Sequence, residues 1–478
     1  MPLSHPRYLH LAALVLISAL ANTASAEQKP LNVLFIAVDD LNDWISPLGG
    51  HPQAKTPNFD RLAERSVTFT NAHCQAPICN PSRVSLLTGT LPSTTGTYYL
   101  APKIREWEAT RNAVTIPQHF HRSGYDSWGA GKIFHGGDNK NEFAEYGGHF
   151  GAFGPRPEKP ISAGHTHPLW DWGAFPESDD QMPDAKIAAW TAGKLSQKHT
   201  RPFFLGCGFY RPHVPLYAPK KWFDMHPRSD IQLPRYVDGD LDDISQYAQD
   251  LTWSVAAPRH QWIVEHDELK HVIQAYLACI SFVDAQLGKL LDALDESDAA
   301  ENTIIVLWSD HGFQLGTKER WGKRALWEDA TKVVLMISAP GMSHGTKCDR
   351  PVGLIDLYPT LIQLCGLDQV TGLEGHSLTP LLKTPDATWP WPALTTFGQH
   401  NHGIRSTDWR YIVYADGSQE LYDRKNDPDE ITNLASDPKY QDIIQQYRRF
   451  LPQINQPMAP GSAHLDARPG SAPDIDSK

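Results

Sequence analysis

Two apolar runs, each followed by acidic residues, constrain the fold of this chain more than any other feature. Residues 31–38 are almost continuously apolar and lead directly into Asp39-Asp40. Residues 304–308 form a second run of this kind, followed by Ser309-Asp310-His311-Gly312. A strand that is apolar along its whole length is typical of a sheet that is covered on both faces. We therefore expect both runs to be central strands of a layered α/β domain.

The segments between these runs extend the pattern. Residues 203–205 and 333–337 look like further buried strands, and Thr56-Pro57 predicts a helix start. Apolar residues recur at helical spacing from Tyr276 to Leu294. Strands that alternate with helices predict a mostly parallel sheet flanked by helices. Because ligands bind beyond the carboxyl ends of such strands, both acidic clusters should lie at the functional edge.

The character of the sequence changes along the chain. Residues 136–185 are rich in Gly, Pro, His and Trp without periodicity, which predicts a long insertion over the site. Near the C-terminus, two short strand patterns flank Asp416-Gly417, a hairpin signal, and a helix is expected over 440–450. We divide the chain into a catalytic domain (27–394), a smaller C-terminal α+β subdomain with an antiparallel sheet (395–452) and a loose tail (453–478).

The N-terminal residues 1–26 have the features of a secretory signal peptide. Arg7 precedes an apolar run over 11–21, and Ala24-Ser25-Ala26 is a suitable cleavage site. This predicts a protein that is secreted or periplasmic. No later apolar run is long enough for a membrane span, and the net charge of −12 argues against a nucleic-acid partner. The oligomeric state is left open.

The six cysteines are too few for a disulfide scaffold in a chain of 478 residues. If one of them is chemically special, five remain and at most two bridges can form. The candidate is Cys79, which opens Cys79-Asn80-Pro81-Ser82-Arg83. Here Asn80 is expected to cap a helix, Pro81 to begin it and Gly89 to end it. A thiol before a helix N-terminus is acidified by the helix dipole, although a buried structural cysteine is an equally good interpretation.

This motif, with Thr88-Gly89 downstream, resembles the signature of the type I sulfatases. Further motifs follow in the order of that family, and the resemblance covers roughly residues 30–435. The residues of these motifs look most like those of iduronate-2-sulfatases and their bacterial relatives. This resemblance implies an alkaline-phosphatase-like fold. The motifs are Asp39-Asp40, Gly131-Lys132-Ile133-Phe134-His135, Arg211-Pro212-His213-Val214-Pro215, Ser309-Asp310-His311-Gly312 and Trp321-Gly322-Lys323.

The resemblance implies that a dedicated maturation enzyme oxidises Cys79 to formylglycine. A hydrated formylglycine is a gem-diol, of which one hydroxyl attacks sulfur to form a covalent sulfate ester. The second hydroxyl then loses its proton and expels sulfate by C–O cleavage, which a serine could not do. Covalent catalysis of this kind divides one difficult step into two easier ones.

The resemblance also implies roles for the other motif residues. Asp39, Asp40, Asp310, His311 and the modified Cys79 would hold one calcium ion, for which carboxylates are suitable ligands. Asp310 would also act as the base that activates the attacking hydroxyl. Lys132 and Lys323 would bind sulfate oxygens, with Arg83 adding positive charge. His135 would deprotonate the second hydroxyl, and His213 would protonate the leaving alcohol or donate a hydrogen bond to it.

The expected substrate is the sulfate ester of a saccharide, with an iduronate 2-sulfate-like residue as the leading candidate. Arg211, Arg320, Arg324 and His165 are candidates for the substrate entrance. Trp170 and Trp172 either stack on sugar rings or pack in the core, and His400 and His402 could reach the cleft. Two alternatives stay open at this stage: a phosphate mono- or diesterase of the same fold, and an inactive glycan-binding homologue.

Overall fold

The computed structural model describes residues 30–136, 141–163, 169–254 and 256–462, and those from Leu31 onward form one compact unit. The strands are β1 (Asn32–Val38), β2 (Val67–Phe69), β3 (Ala72–His73), β4 (Asp126–Gly131), β5 (Glu145–Tyr146), β6 (Trp172–Ala174), β7 (Phe203–Phe209), β8 (Leu216–Ala218), β9 (Thr303–Ser309), β10 (Gln314–Leu315), β11 (Trp321–Gly322), β12 (Lys332–Val333), β13 (Leu335–Ser338), β14 (Thr346–Cys348), β15 (Val352–Gly353), β16 (Ala393–Thr396), β17 (His402–Arg405), β18 (Trp409–Val413) and β19 (Gln419–Asp423). The α-helices are α1 (Pro57–Ala63), α2 (Cys79–Thr88), α3 (Pro92–Thr95), α4 (Ile116–Arg122), α5 (Pro183–Leu195), α6 (Lys220–Asp224), α7 (Gln246–Leu251), α8 (His260–Glu265), α9 (Leu269–Asp295), α10 (Glu328–Thr331), α11 (Leu357–Cys365), α12 (Thr379–Lys383) and α13 (Gln441–Arg448).

The main sheet has eight strands in the order β14-β2-β13-β9-β1-β7-β4-β5. Its centre is parallel, since β1 pairs in this sense with both β7 and β9, which confirms the expected α/β architecture. One strand departs from the prediction. The run expected over 333–337 is divided between β12 and β13, and β13 pairs antiparallel with β9.

Strand register brings the sequence motifs together. Val38 is opposite Ser309 in β9 and Phe209 in β7, so these strands end at the same level of the sheet. In the next strand pair, Gly131 of β4 is opposite Gly208. The residues that follow each strand therefore converge on one edge, as the sequence predicts.

Both faces of the sheet are covered. Along β1, Leu34, Ile36 and Val38 belong to one hydrophobic cluster, which includes most of α9, while the alternate residues belong to a second cluster with α11. Full burial on both sides explains the continuous apolar run. Thr56 precedes α1 as predicted, but its side chain makes no capping hydrogen bond. The carboxylate of Asp284, from α9, accepts the α1 backbone N–H groups instead.

The C-terminal region contains the expected antiparallel sheet, in the order β16-β17-β18-β19. Asp416-Gly417 lies between β18 and β19, and Gly417 has the positive φ of 88° that such a turn requires. Helix α13 packs on this sheet through Ile444 and Tyr447. The start of the predicted tail, 453–462, is held against the α3 region, where Gln456 N donates to Ser93 O.

Other predictions fall partly outside the description. The signal peptide over 1–26 and residues 463–478 of the tail lie outside the described residues. Within the insertion over 136–185, the described parts contain β5, β6 and the beginning of α5. In the portion of the chain that is described, no helix has the length and apolar character of a membrane span. All six cysteines are described, and none forms a disulfide.

Candidate active site

Cys79 is the first residue of α2, at the sheet edge where the strand ends converge. The expected cap is wrong, because Ile78 precedes the helix and Asn80 lies inside it. The Asn80 amide instead donates to the carbonyls of Tyr99 (2.8 Å) and Pro102 (3.0 Å), so loop contacts outweigh its capping preference. Gly89 ends the helix with a φ of 70°, as predicted.

A potential metal site lies around the Cys79 thiol. Single ligand atoms of Asp39, Asp40, Cys79 and His311 all lie within 4.8 Å of one another, and all four residues are buried. Nδ1 of His311 is 2.8 Å from the carbonyl oxygen of Gly312, so this nitrogen must carry the proton. The other nitrogen, Nε2, is 3.3 Å from Asp40 Oδ1 and 3.2 Å from Cys79 Sγ. This is the orientation that a metal-binding imidazole requires.

Asp310, expected both as a ligand and as a base, lies beside this group. Its Oδ2 accepts from Arg83 Nε at 2.9 Å, and its Oδ1 accepts from the backbone N–H of Asp40 at 3.2 Å. Burial raises the pKa of this carboxyl to about 7, in spite of the opposing charges of Arg83 and His311. A carboxyl that titrates near neutrality is suited to proton transfer.

Arg83 binds protein groups from the interior of the site. Its guanidinium, which is 1% exposed, donates to Asp310 and, at 3.0 Å, to Asp39 Oδ1. It also donates to the backbone carbonyls of Lys132 and Ile133. Four of its five N–H groups are therefore engaged. Arg83 thus joins α2 to the ends of three strands.

Two ammonium groups flank the thiol. Lys132 Nζ contacts Asp39 Oδ2 and lies 3.6 Å from Cys79 Sγ, while Lys323 Nζ lies 3.1 Å from the same sulfur. Lys323 Nζ also donates to Asp40 Oδ1 at 2.5 Å. Burial alone would raise the pKa of the Cys79 thiol, but Lys132, Lys323 and His311 lower it well below its usual value. The site therefore stabilises negative charge at this position.

Two histidines complete the surroundings of Cys79. His135 is hydrogen-bonded to the thiol, and its pKa is lowered mainly by burial. His213 Nδ1 is 2.6 Å from the carbonyl oxygen of Val214, so its Nε2 is left facing Asp40 Oδ2 at 3.8 Å. Each histidine is therefore placed where it could exchange a proton with a group bound at Cys79.

The thiol opens into a cavity of about 330 Å³. Beyond the polar residues around Cys79, its walls are mostly apolar and aromatic. Such a cavity can hold a small organic group next to the reactive centre. The walls are formed by Leu100, Phe153, Leu169, Trp170, Val214, Ala256, Ala257, Phe313 and Trp321, with Arg324 as the only guanidinium in the described lining.

Arg211, predicted at the substrate entrance, is buried and does not line this cavity. It is 1% exposed and donates to the backbone carbonyls of Tyr217 (2.9 Å), His213 (3.0 Å) and Phe153 (2.7 Å). Its guanidinium therefore holds the loop that carries His213. The prediction was wrong because a guanidinium satisfies backbone carbonyls as readily as a ligand.

The remaining entrance candidates have different outcomes. Arg320 is also buried, where it donates to Thr252 Oγ1 and to the carbonyl of Gln249, so its assignment to the entrance was wrong. Arg324 does line the cavity. His165 lies outside the described residues.

The aromatic and C-terminal candidates also differ in whether they line the cavity. Trp170 lines the cavity, whereas Trp172 is fully buried and donates to Glu268 at 2.8 Å, as a core residue does. His402 is buried against Asn455, and His400 is exposed. Neither histidine belongs to the cavity lining, so their expected reach into the cleft was wrong.

Two supporting residues were not found from the sequence. Tyr276 donates from its hydroxyl to the backbone carbonyl of Asp40 at 2.8 Å. Asp184 accepts the backbone N–H of Tyr210 at 2.5 Å, at the start of the loop that carries His213. Helical spacing did identify the α9 position of Tyr276 as buried. Helical spacing carries no information on what the Tyr276 hydroxyl contacts, because Tyr276 and Asp40 are 236 residues apart in the chain.

Comparisons with known proteins agree with this geometry. The sulfatase family model matches residues 31–367, and the model of the N-sulphoglucosamine sulphohydrolase C-terminal region matches residues 316–457. The chain is 44% identical over 469 residues to a sulfatase from Formosa agariphila, which covers 94% of this chain and 92% of that protein.

Two further similarities concern the branch and the fold. The chain is 31% identical over 392 residues to the iduronate 2-sulfatase of Homo sapiens, covering 72% of this chain and 70% of that protein. A solved 2-O GAG sulfatase superposes with a TM-score of 0.69 at 23% identity, covering 88% of this chain and 91% of that one. The expected alkaline-phosphatase-like fold is thereby confirmed.

Proposed function

Since the chain belongs to the type I sulfatase family, in its iduronate-2-sulfatase-like branch, and is a sulfuric ester hydrolase, we propose that it hydrolyses sulfate esters of an acidic saccharide with a formylglycine made from Cys79. The observation that carries the proposal is the position of Cys79, between the carboxylates of Asp39 and Asp40 and the ammonium groups of Lys132 and Lys323. A nucleophile in these surroundings is suited to an anionic sulfate group.

The described residues fit a calcium ion. Asp40 Oδ2 is buried and has no hydrogen-bond partner among the described residues, and Nε2 of His311 points toward Asp40 and Cys79 because Nδ1 donates to the Gly312 carbonyl. Asp39, Asp40 and His311 would hold the ion together with the modified residue 79, and Asp310 would complete the set. When bound, such a cation offsets the negative charge of the sulfate and acidifies the nucleophile.

The chain's own residues then have separate tasks. Lys132 and Lys323 bind sulfate oxygens, because both ammonium groups lie next to position 79. Asp310, with its pKa raised to about 7 by burial, removes the proton of the attacking hydroxyl. Formylglycine, when hydrated, supplies two hydroxyls on one carbon, so that the sulfated enzyme can release sulfate and recover the aldehyde.

The two histidines act at the other proton transfers. His213 lies at the cavity wall and its Nδ1 donates to the Val214 carbonyl, so Nε2 donates to the oxygen of the departing alcohol from the imidazolium form. His135 is hydrogen-bonded to residue 79 and removes the proton that allows sulfate to leave. Arg83 does not contact the substrate in this scheme, since it holds Asp39 and Asp310 in place.

The substrate that fits best is a 2-sulfated uronic acid at the end of a saccharide. Arg324 is the guanidinium that lines the described cavity outside the sulfate-binding group, and it can pair with one carboxylate. The aromatic walls, including Trp170, suit the apolar face of one sugar ring. Secretion to the periplasm or medium, and maturation by a formylglycine-generating enzyme, accompany this proposal.

The test combines a mass measurement with an activity assay on protein that is co-produced with the maturation enzyme. The peptide that contains Cys79 should have the lower mass of formylglycine, and the enzyme should release sulfate from 2-sulfated uronic acid saccharides. Equal or higher turnover on the matching phosphate esters would instead favour a phosphoesterase. An unmodified Cys79 in fully active protein would contradict the proposed nucleophile.

A further inference from the structure

The C-terminal sheet holds the segment that follows Lys323. Three consecutive residues, 326–328, each make a hydrogen bond to a buried charged side chain from the C-terminal region. In these bonds Arg410 Nη1 donates to the carbonyl of Leu326 (2.9 Å), Trp327 Nε1 donates to Glu420 Oε2 (2.7 Å), and the backbone N–H of Glu328 donates to Glu430 Oε2 (2.8 Å).

These contacts are well protected from water. Arg410, Glu420 and Glu430 are 0%, 1% and 2% exposed, respectively. Hydrogen bonds to charged groups in a dry environment are stronger than those at the surface. They also restrain the position of the bonded group, since moving it would leave a buried charge without its partner.

The charged side chains themselves are fixed by one another. The carboxylate of Glu328 accepts from Arg405 at 3.0 Å and also from Arg410. Arg410 Nε donates in turn to Glu430 Oε1 at 2.5 Å. The network therefore joins α10 to the C-terminal sheet as a rigid unit.

The other end of the segment is tied to the nucleophile. The backbone N–H of Arg324 donates to the carbonyl of Pro77, two residues before Cys79, at 3.1 Å. Lys323 directly precedes the attachment at Arg324 and extends toward Asp40 and Cys79. Arg324 has a φ of 80°, a strained conformation for a residue other than glycine. Such strain persists only where the surroundings hold the backbone in place.

We propose that Arg410, Glu420 and Glu430 are positioning residues, which hold segment 326–328 so that Lys323 meets a sulfate group at residue 79. This inference rests on the proposed role of Lys323. A lysine side chain has four rotatable carbon–carbon bonds, so its backbone must be fixed if its charge is to be fixed. The C-terminal region would thus contribute to catalysis without contacting the substrate.

Glu420 allows a matched test, because its carboxylate has three donors. Trp327 Nε1 is one of them, and the hydroxyls of Tyr414 (2.8 Å) and Tyr422 (2.7 Å) are the others. Trp327→Phe and Glu420→Gln weaken the link to segment 326–328. Tyr414→Phe and Tyr422→Phe each remove one buried hydrogen bond from the same carboxylate but leave that link intact.

All four variants are produced with the maturation enzyme, and their turnover is expressed per formylglycine-containing molecule. For Trp327→Phe and Glu420→Gln we expect kcat to fall about 10- to 100-fold, since a small displacement of a catalytic group costs this much. Competitive inhibition by inorganic sulfate should weaken in parallel. The two tyrosine variants should keep the wild-type kcat and the wild-type inhibition by sulfate. This should hold even where their melting temperature falls as much as that of Trp327→Phe and Glu420→Gln.

The inference is wrong if Trp327→Phe and Glu420→Gln keep the wild-type kcat and sulfate inhibition, or if all four variants lose them in proportion to stability. Glu420→Gln preserves the side-chain volume, so it separates loss of the hydrogen bond from the space that Trp327→Phe leaves. Absence of sulfatase activity in the wild-type protein would count against the proposed substrate or nucleophile and not against this inference alone.

Discussion

Arg83 Nε lies 2.9 Å from Asp310 Oδ2, and both side chains are almost completely buried. The same guanidinium also binds Asp39 at 3.0 Å, so one cation serves carboxylates that follow two different strands. Without it, these carboxylates would repel each other in a site with little water. The signature arginine is therefore an organising residue, whose hydrogen bonds all go to protein groups, although its charge also acts on residue 79.

Substitution of Arg83 should accordingly damage the fold as well as the activity. Arg83→Lys keeps the charge but cannot donate to Asp39, Asp310 and two carbonyls at once. We expect turnover to fall by at least about 100-fold and stability by about 3–5 kcal/mol, as for a broken buried ion pair. Calorimetry and sulfate release measure the two effects. A stable but inactive Arg83→Lys protein would instead indicate direct contact of Arg83 with the substrate.

Loss of the nucleophile should reduce turnover far more than substitution of Arg83 does, and it should reduce stability only slightly. Cys79→Ala should lower turnover by a factor on the order of 10⁶, as for other covalent nucleophiles. Cys365→Ala serves as a control, because this cysteine lies outside the site. Near-normal turnover by Cys79→Ala would contradict the covalent mechanism, whatever its stability.

Removal of the metal should reduce both stability and activity. A ligand that binds the folded state alone stabilises it, so a chelator should lower the melting temperature and calcium should restore it. Asp40→Asn and Asp310→Ala should abolish this shift, whereas Asp349→Asn, at an exposed position, should keep it. Elemental analysis that found two zinc ions per chain would favour the phosphoesterase interpretation.

Asp356 gives a pH prediction away from the active site. Burial raises the pKa of this carboxyl to about 7, although it accepts the backbone N–H groups of Gly353 and His376. Between the ordinary pKa of 3.8 and about 7, the folded state therefore holds a proton that the unfolded state has lost. Folding stability should fall as pH rises through this window, by at most about 1.4 kcal/mol per pH unit.

Asp356→Asn removes this titration. Relative to wild type, the variant should gain stability as pH rises from 3.8 to about 7, as measured by thermal or denaturant unfolding. Asp349→Asn should show no comparable trend. A stability difference between Asp356→Asn and wild type that does not change with pH would mean that Asp356 is already ionised in the folded protein.

The sequence predicts the site well where strand register decides the geometry. Asp39-Asp40 and Asp310-His311 follow paired parallel strands, so their proximity follows from the apolar runs alone. The sequence predicts the site poorly where a long side chain has several possible partners that are distant in the chain. Arg211 and Asn80 bind backbone carbonyls that no local pattern reveals. The same is true of Glu420 and Trp327, which are 93 residues apart in the chain.

The corrected positions of the arginines sharpen the substrate prediction. Arg211 and Arg320 donate to groups inside the protein and do not line the cavity, whereas Arg324 does, so the proposed recognition of a sugar carboxylate falls to Arg324. A hydrogen bond to a charged group contributes roughly 1.5–3 kcal/mol, or about 10- to 150-fold in selectivity. Arg324→Gln should lower kcat/KM for a 2-sulfated uronic acid saccharide by about this factor. Its kcat/KM for a neutral sugar sulfate should change little.

The control is Arg235→Gln, because Arg235 is exposed and pairs with Asp429 away from this cavity. It should leave both kcat/KM values unchanged. Trp170→Ala should weaken the binding of either sugar, since stacking on the apolar face of a ring does not depend on the carboxylate. If wild-type enzyme cleaves the neutral sulfate as efficiently as the uronate, the acidic-saccharide assignment fails while the sulfatase assignment stands. If Arg324→Gln lowers kcat/KM equally for both substrates, Arg324 positions the Lys323 segment and does not select the substrate.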